Sequence, residues 1–196
     1  MLVLVRHGES VANAEGRLAG RMDFPLSGRG RDQAAAAACL LGTVAGVVSS
    51  PLSRAIETAS LVAPGVPVEV DSRWTELDYG ELDGTRLGEV PAEVWGRWRS
   101  DPAFRLPGGE SLIEVAERVV DACAELMGPG GDGRRDDCDV VVVSHVSPIK
   151  AAVAWSLGVG VEVSWKMHLY TASVTRIGWS GDRPVLHQMG ALPLHR

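Results

Sequence analysis

Apolar residues along this chain follow two rhythms. Continuous runs at Leu2 to Val5, Val44 to Val48 and Val140 to Val143 have the length and β-branched character of strands buried on both faces. Between them lie segments with helical spacing. Ser27 is placed to cap a helix through Leu41, where an alanine run has high helix propensity and Gly42 supplies a stop. Leu52 to Ala63 reads as a second helix ending at Pro64-Gly65, and Val66 to Val70 as a short strand. The order β-α-β-α-β predicts a largely parallel sheet covered by helices on both faces.

The rest of the pattern is less even. Residues 6 to 26 read as a long polar loop, since Gly8, Asn13, Gly16, Gly20 and Pro25 interrupt any helical period, and such loops usually carry function. Residues 71 to 110 are irregular, with a helix expected around Glu89 to Arg99. The clearest amphipathic helix starts at Ser111, with Leu112, Val115, Ala116, Val119, Val120, Cys123 and Leu126 on one face and Glu114 completing a capping box. Gly128 to Asp137 reads as a surface linker too short to divide domains. Ser147-Pro148 predicts an N-cap followed by proline at the first helical position, and Thr171 to Trp179 with Val185 to Met189 a terminal hairpin. Residues 1 to 196 are therefore expected to form one α/β domain.

Composition narrows the class of function. A net charge of −6 and a sequence pI near 5.4 argue against nucleic acid or acidic membranes as partners. Basic residues are nearly all arginine, with lysine only at Lys150 and Lys166. Cys39, Cys123 and Cys138 form neither a disulfide framework nor a metal-ligand spacing. With no signal-peptide pattern and no apolar run of bilayer length, the cytoplasm is the expected location. The hairpin or exposed tryptophans could support a homodimer.

Two strands end in histidine, at Arg6-His7-Gly8-Glu9-Ser10 and at Ser144-His145. The end of a buried strand is where open α/β sheets place ligand sites. If the strands are neighbours, the imidazoles face each other across an anionic substrate, an arrangement suited to phosphoryl transfer. His7 is the candidate nucleophile, since a neutral imidazole attacks phosphorus and the phosphoramidate hydrolyses. Arg6 and Arg54 are candidates to hold the phosphoryl oxygens through their planar forks. His145, with the helix N-terminus after it, would add positive potential, and Asn13 could donate an amide hydrogen bond. Glu76 is the candidate proton donor to the leaving group, with Asp78 as its rival. Arg21, Arg99 and Arg105 could recognise a second anionic group, and Trp95 and Trp98 could line a lid or pack onto the domain. His168, His187 and His195 are assigned no role.

An ordered series of motifs spans nearly the whole chain. It comprises Arg6 to Ser10 with Asn13, Asp23 to Ser27 with Gly30 and Gln33-Ala34, Ser50 to Ala55 with Thr58-Ala59, Glu76 with Gly80 and Gly84, Pro107 to Ser111, and Ser144-His145. In this series the chain resembles the histidine phosphatase superfamily, in the branch containing cofactor-dependent phosphoglycerate mutases and broad phosphatases. The resemblance implies a three-layer α/β/α sandwich, phosphorylation of His7, a phosphate pocket of Arg6, Arg54 and His145, and protonation by Glu76. It implies that a phosphatase member needs neither cofactor nor metal. Val146 and Ser147 stand where a glycine pair is frequent, which places Val146 at the substrate. Leu82-Asp83 replace a common Trp-Glu pair. The expected activity is metal-independent hydrolysis of a small phosphorylated metabolite through a phosphohistidine. The alternatives are mutase-type phosphoryl transfer and a non-catalytic module that binds phosphate esters.

Overall fold

The computed structural model describes residues 1–127, 138–181 and 183–193. Its strands are β1 (Leu2–Arg6), β2 (Val44–Ser49), β3 (Val68–Val70), β4 (Asp139–Ser144), β5 (Val174–Ser180) and β6 (Arg183–Ala191). They form one sheet in the order β3-β2-β4-β1-β5-β6. The first four of that order run parallel, and β5 and β6 add an antiparallel hairpin at one side. The linker expected at 128–137 and His195 lie outside the described residues.

Side chains of β1 alternate between two interiors, as a pleated strand requires. Leu2 and Leu4 join a cluster with Val115, Val119 and Cys123 of α5 (Leu112–Met127) and Ile149 and Ala152 of α6 (Val146–Leu157). Val3 and Val5 face the other way, onto Ala34 and Ala37 of α2 (Gly28–Ala37) and Ala55, Ala59 and Val62 of α3 (Ser53–Val62). Leu2, Val3, Leu4 and Val5 are all fully buried, and each such aliphatic side chain contributes about 1.5–3 kcal/mol relative to exposure. This double burial gives the three-layer α/β/α arrangement that the alternating pattern predicts. It also fixes register, since slipping β1 by one residue would drive Arg6 into the place of Val5.

Several local expectations are corrected. The polar segment after β1 contains a helical turn, α1 (Val11–Ala14), closed by reciprocal bonds between Ser10 and Asn13. The helix begun at Ser27 ends at Ala37 and continues as a 3-10 turn over residues 38–40. The helix expected at Glu89 to Arg99 is α4 (Ala92–Ser100). Ser147 does not cap α6: His145 holds the extended cap position, so Pro148 sits third in the helix, where its missing N–H is still no loss. A side chain from elsewhere in the chain supplies that cap. The capping box at Ser111 forms as the pattern requires, with Glu114 N to Ser111 Oγ at 3.2 Å and Ser111 N to Glu114 Oε2 at 2.8 Å.

Candidate active site

β1 and β4 are adjacent and parallel, with Val5 opposite Val143 and Arg6 opposite Ser144. The next residue on each strand is histidine. His7 donates its backbone N–H to the Ser144 carbonyl at 2.9 Å, and the two imidazole centroids lie 4.9 Å apart at 60°. β2 flanks β4 on its other side and delivers Ser50, whose hydroxyl lies 2.8 Å from His145 Nε2. The site thus forms at the carboxyl ends of three neighbouring parallel strands.

The protonation of His7 follows from its surroundings. Its Nδ1 is 2.6 Å from the Gly8 carbonyl oxygen, which can only accept. Nδ1 therefore carries the proton, and Nε2 presents a lone pair. Burial pushes the His7 pKa well below its ordinary value, and the charges of Arg54 and Arg6 push the same way. His145 is likewise held neutral, first by burial and then by the presence of His7, Arg54 and Arg6.

Gly8 and Gly30 bring the β1 exit against the first turn of α2 with no room for a side chain. A Cβ on Gly30 would overlap the Glu9 carbonyl and stand 2.8 Å from the Glu9 amide nitrogen. Gly8 N also donates to Thr58 Oγ1 at 3.1 Å, and Thr58 Oγ1 donates to the Arg54 carbonyl at 2.7 Å. The histidine loop and α3 are thereby tied together.

The two arginines are anchored differently. Arg6 donates through Nη1 to the Leu169 carbonyl at 2.6 Å. Arg54 is wholly buried and gives its terminal nitrogens to the carbonyls of Met22, Ala19 and Gly20 at 3.0, 3.0 and 2.8 Å. At this site Arg6 Nε, Arg54 Nε and His145 Nδ1 are buried without a hydrogen-bond partner among the described residues. Burying polar atoms unpartnered is costly, so such a group of them marks a place for a ligand.

Glu76 is 4% exposed and caps α6 from a distance in sequence. Its Oε2 accepts from Val146 N at 3.0 Å, and its Oε1 from Ser147 N at 3.1 Å and Leu77 N at 2.8 Å. At this helix N-terminus, expected to add positive potential around the phosphate, a carboxylate occupies the first amides. Asp78 accepts instead from Gly80 N at 2.8 Å and lies 3.9 Å from Arg21. Asn13 Oδ1 accepts from Ser10, and its Nδ2 has no partner among the described residues.

A cavity of about 260 Å³ opens here. Arg6, His7, Asn13, Glu76 and Val146 are among its lining residues, while Arg54 and His145, the latter against His7, are buried and outside the lining. Tyr79, half-buried and pushed to high pKa by desolvation and by Glu76, lies along the wall with Trp95 and Trp98. Trp98 also packs on Phe104, Leu18 and Val90, which is the packing expected of the tryptophan pair. Arg21, Arg99 and Arg105 are outside the lining: Arg21 pairs with Glu110, Arg105 with Glu114, and Arg99 covers the Trp95 ring. Arg17, Lys150, Ser164 and Trp165, to which the pattern assigned nothing, do line it. The signal for Lys150 was available, because it falls one helical turn after Val146 and is one of two lysines in the chain. Among the described residues no group of three or more His, Cys, Asp or Glu side chains could hold a metal ion. Nor is any described helix long and apolar enough to cross a membrane.

Comparison with known proteins agrees with this geometry. A family model described as histidine phosphatase superfamily (branch 1) matches residues 2–191. A bifunctional protein of Mycobacterium tuberculosis is 36% identical over 89% of this chain, which spans only 49% of that relative's length. A glucosyl-3-phosphoglycerate phosphatase of Mycolicibacterium vanbaalenii is 38% identical over 82% of this chain and 76% of its own. The solved structure of a mycobacterial glucosyl-3-phosphoglycerate phosphatase in complex with VO3 superposes with a TM-score of 0.87 at 34% identity, covering 97% and 98% of the two chains.

Proposed function

The chain belongs to the histidine phosphatase superfamily (branch 1), and from that membership and the site geometry we propose that it is a metal-independent phosphomonoesterase acting on a small phosphorylated metabolite. His7 Nε2 attacks phosphorus, the ester P–O bond breaks, and Glu76 delivers a proton to the departing oxygen. Water then attacks the phosphohistidine, its proton returns to the Glu76 carboxylate, the N–P bond breaks and His7 is restored. Arg6 Nε, Arg54 Nε and Asn13 Nδ2 donate to the phosphoryl oxygens. When the Ser50 hydroxyl donates to His145 Nε2, His145 carries its proton on Nδ1 and becomes a further donor.

One observation carries this reading: a buried, neutral histidine with its Nδ1 proton fixed on Gly8 O stands among unpartnered buried nitrogens of two arginines and a second histidine. Such donors stabilise charge in place without reorganising, which is how phosphoryl transfer is accelerated. The two related proteins named as phosphatases support hydrolysis over transfer back to substrate.

The test is phosphate release from p-nitrophenyl phosphate and a panel of phosphorylated metabolites in EDTA, with acid quenching to trap labelled phosphohistidine. Native protein is expected to turn over and His7→Ala to do neither. Turnover surviving in His7→Ala refutes the nucleophile, and phosphate moved between positions of one substrate without release identifies a mutase.

A further inference from the structure

Glu76 stands in an irregular stretch, residues 75–79, between the 3-10 turns Ser72–Trp74 and Gly80–Leu82. Its side chain caps α6, but its main chain belongs to no helix or strand ladder, and a buried backbone must find its partners elsewhere. Arg118 of α5 supplies one. It donates through Nη1 to the Arg73 carbonyl at 2.5 Å and through Nη2 to the Glu76 carbonyl at 3.4 Å. The guanidinium is itself fixed by Glu110, with Nε 2.7 Å from Oε1 and Nη2 2.9 Å from Oε2, and the two side chains are 17% and 14% exposed. Glu110 N in turn donates to the Asp78 carbonyl at 3.0 Å. Gly80 and Gly109 let these two backbones touch: a Cβ on Gly80 would stand 2.4 Å from the Pro107 carbonyl oxygen, and one on Gly109 2.9 Å from that of Asp78.

Resting on the phosphomonoesterase reading, we propose that Arg118, locked by Glu110, is a positioning residue for the proton donor and sets where the Glu76 carboxyl stands against the leaving oxygen. A carboxylic acid protonates only within hydrogen-bond reach, and a misplacement of about 1 Å costs on the order of a hundredfold. Bridging two carbonyls three residues apart while gripped by a carboxylate takes a planar fork of donors, which arginine has and lysine lacks. Glu76 is thereby held from two sides, its main chain by α5 and its side chain by α6. The packing of α5 rests on other residues, since Leu112, Val115, Val119 and Cys123 bury its apolar face. Arg118 is not among the residues lining the cavity, so it acts through Glu76 and not on substrate.

The matched probes are p-nitrophenyl phosphate, whose leaving group needs no proton, and phenyl phosphate, whose phenoxide is more basic. The quantity read is the ratio of kcat/KM for phenyl phosphate to that for p-nitrophenyl phosphate. Arg118→Met should lower this ratio about tenfold or more, with kcat/KM on p-nitrophenyl phosphate within about threefold of native. Arg118→Lys keeps a charge opposite Glu110 but cannot span both carbonyls, so it should recover stability in urea unfolding and leave the ratio low. Because Arg118 acts through Glu76, adding Arg118→Met to Glu76→Gln should lower the ratio no further. Equal losses on both esters in the Arg118 variants, or losses that add in the double variant, overturn the positioning role while leaving the phosphatase reading intact. Should Arg118→Met not fold, Arg118→Lys carries both comparisons. A native ratio in Glu76→Gln removes Glu76 as the donor and the role of Arg118 with it, and failure of native protein to hydrolyse p-nitrophenyl phosphate removes the phosphatase reading itself.

Discussion

Mild acid should destabilise this protein before its carboxylates titrate. The perturbation is a shift from pH 8 to pH 5.5, and the groups responsible are His7 and His145, both enclosed and both with pKa pushed well below the ordinary 6.5. In each the largest cause is burial; the charge of Arg54 follows in His7, and the presence of His7 in His145. Unfolding returns each imidazole to its ordinary value. A base whose folded pKa is depressed binds fewer protons folded than unfolded, so stability is complete above 6.5 and is lost as pH falls below it. At pH 5.5 the unfolded imidazoles are about 90% protonated; with the folded pair still neutral, the loss is about 1.4 kcal/mol each, or about 3 kcal/mol together. Urea unfolding at pH 8, 6.5 and 5.5 measures this, and His7→Gln and His145→Gln should each remove about half of the pH dependence. Stability that is flat across the range, or a double variant as pH-sensitive as the native protein, would show that these imidazoles are not held neutral by the fold.

Three further outcomes follow from the same contacts. Gly30→Ala should lower stability by about 1–3 kcal/mol, because the new methyl meets the Glu9 backbone; an unchanged melting temperature refutes the close approach. Arg54→Met should cost about 3 kcal/mol or more in urea unfolding, since the carbonyls of Ala19, Gly20 and Met22 lose their donor together; a loss of activity with native stability would mean that those bonds do not form in solution. Glu76→Gln should reduce kcat on alkyl phosphates about 10²–10⁴-fold and far less on p-nitrophenyl phosphate, whose leaving group needs no proton; equal losses on both would assign Glu76 to capping α6 alone.

The parts of this site that could be read in the sequence are those carried by strand ends. Leu2 to Val5 and Val140 to Val143 declare themselves as doubly buried strands, and the histidine after each follows from the chain. Their adjacency does not, because parallel pairing is set by contacts far apart in sequence and leaves no local signature. The α6 cap shows the same limit from the other side. Ser147-Pro148 has the right residues for a helix start, yet Glu76, seventy residues earlier, takes the cap and moves the boundary to His145. Asn13 likewise spends its oxygen on Ser10, an exchange visible only once the segment is known to turn helical. Part of the cavity wall was hidden because α4, α6 and the turn at 161–166, far apart in sequence, all contribute to it.

Three of the six tryptophans in the chain, Trp95, Trp98 and Trp165, border the cavity, and the Trp95 and Trp98 rings lie 5.4 Å apart. Indole emission responds to the polarity and quenching groups around the ring, and neighbouring indoles couple in the near-ultraviolet circular dichroism spectrum. Occupation of the cavity therefore carries an optical signature built from the protein's own chromophores, so ligand entry can be followed without a label and separately from turnover.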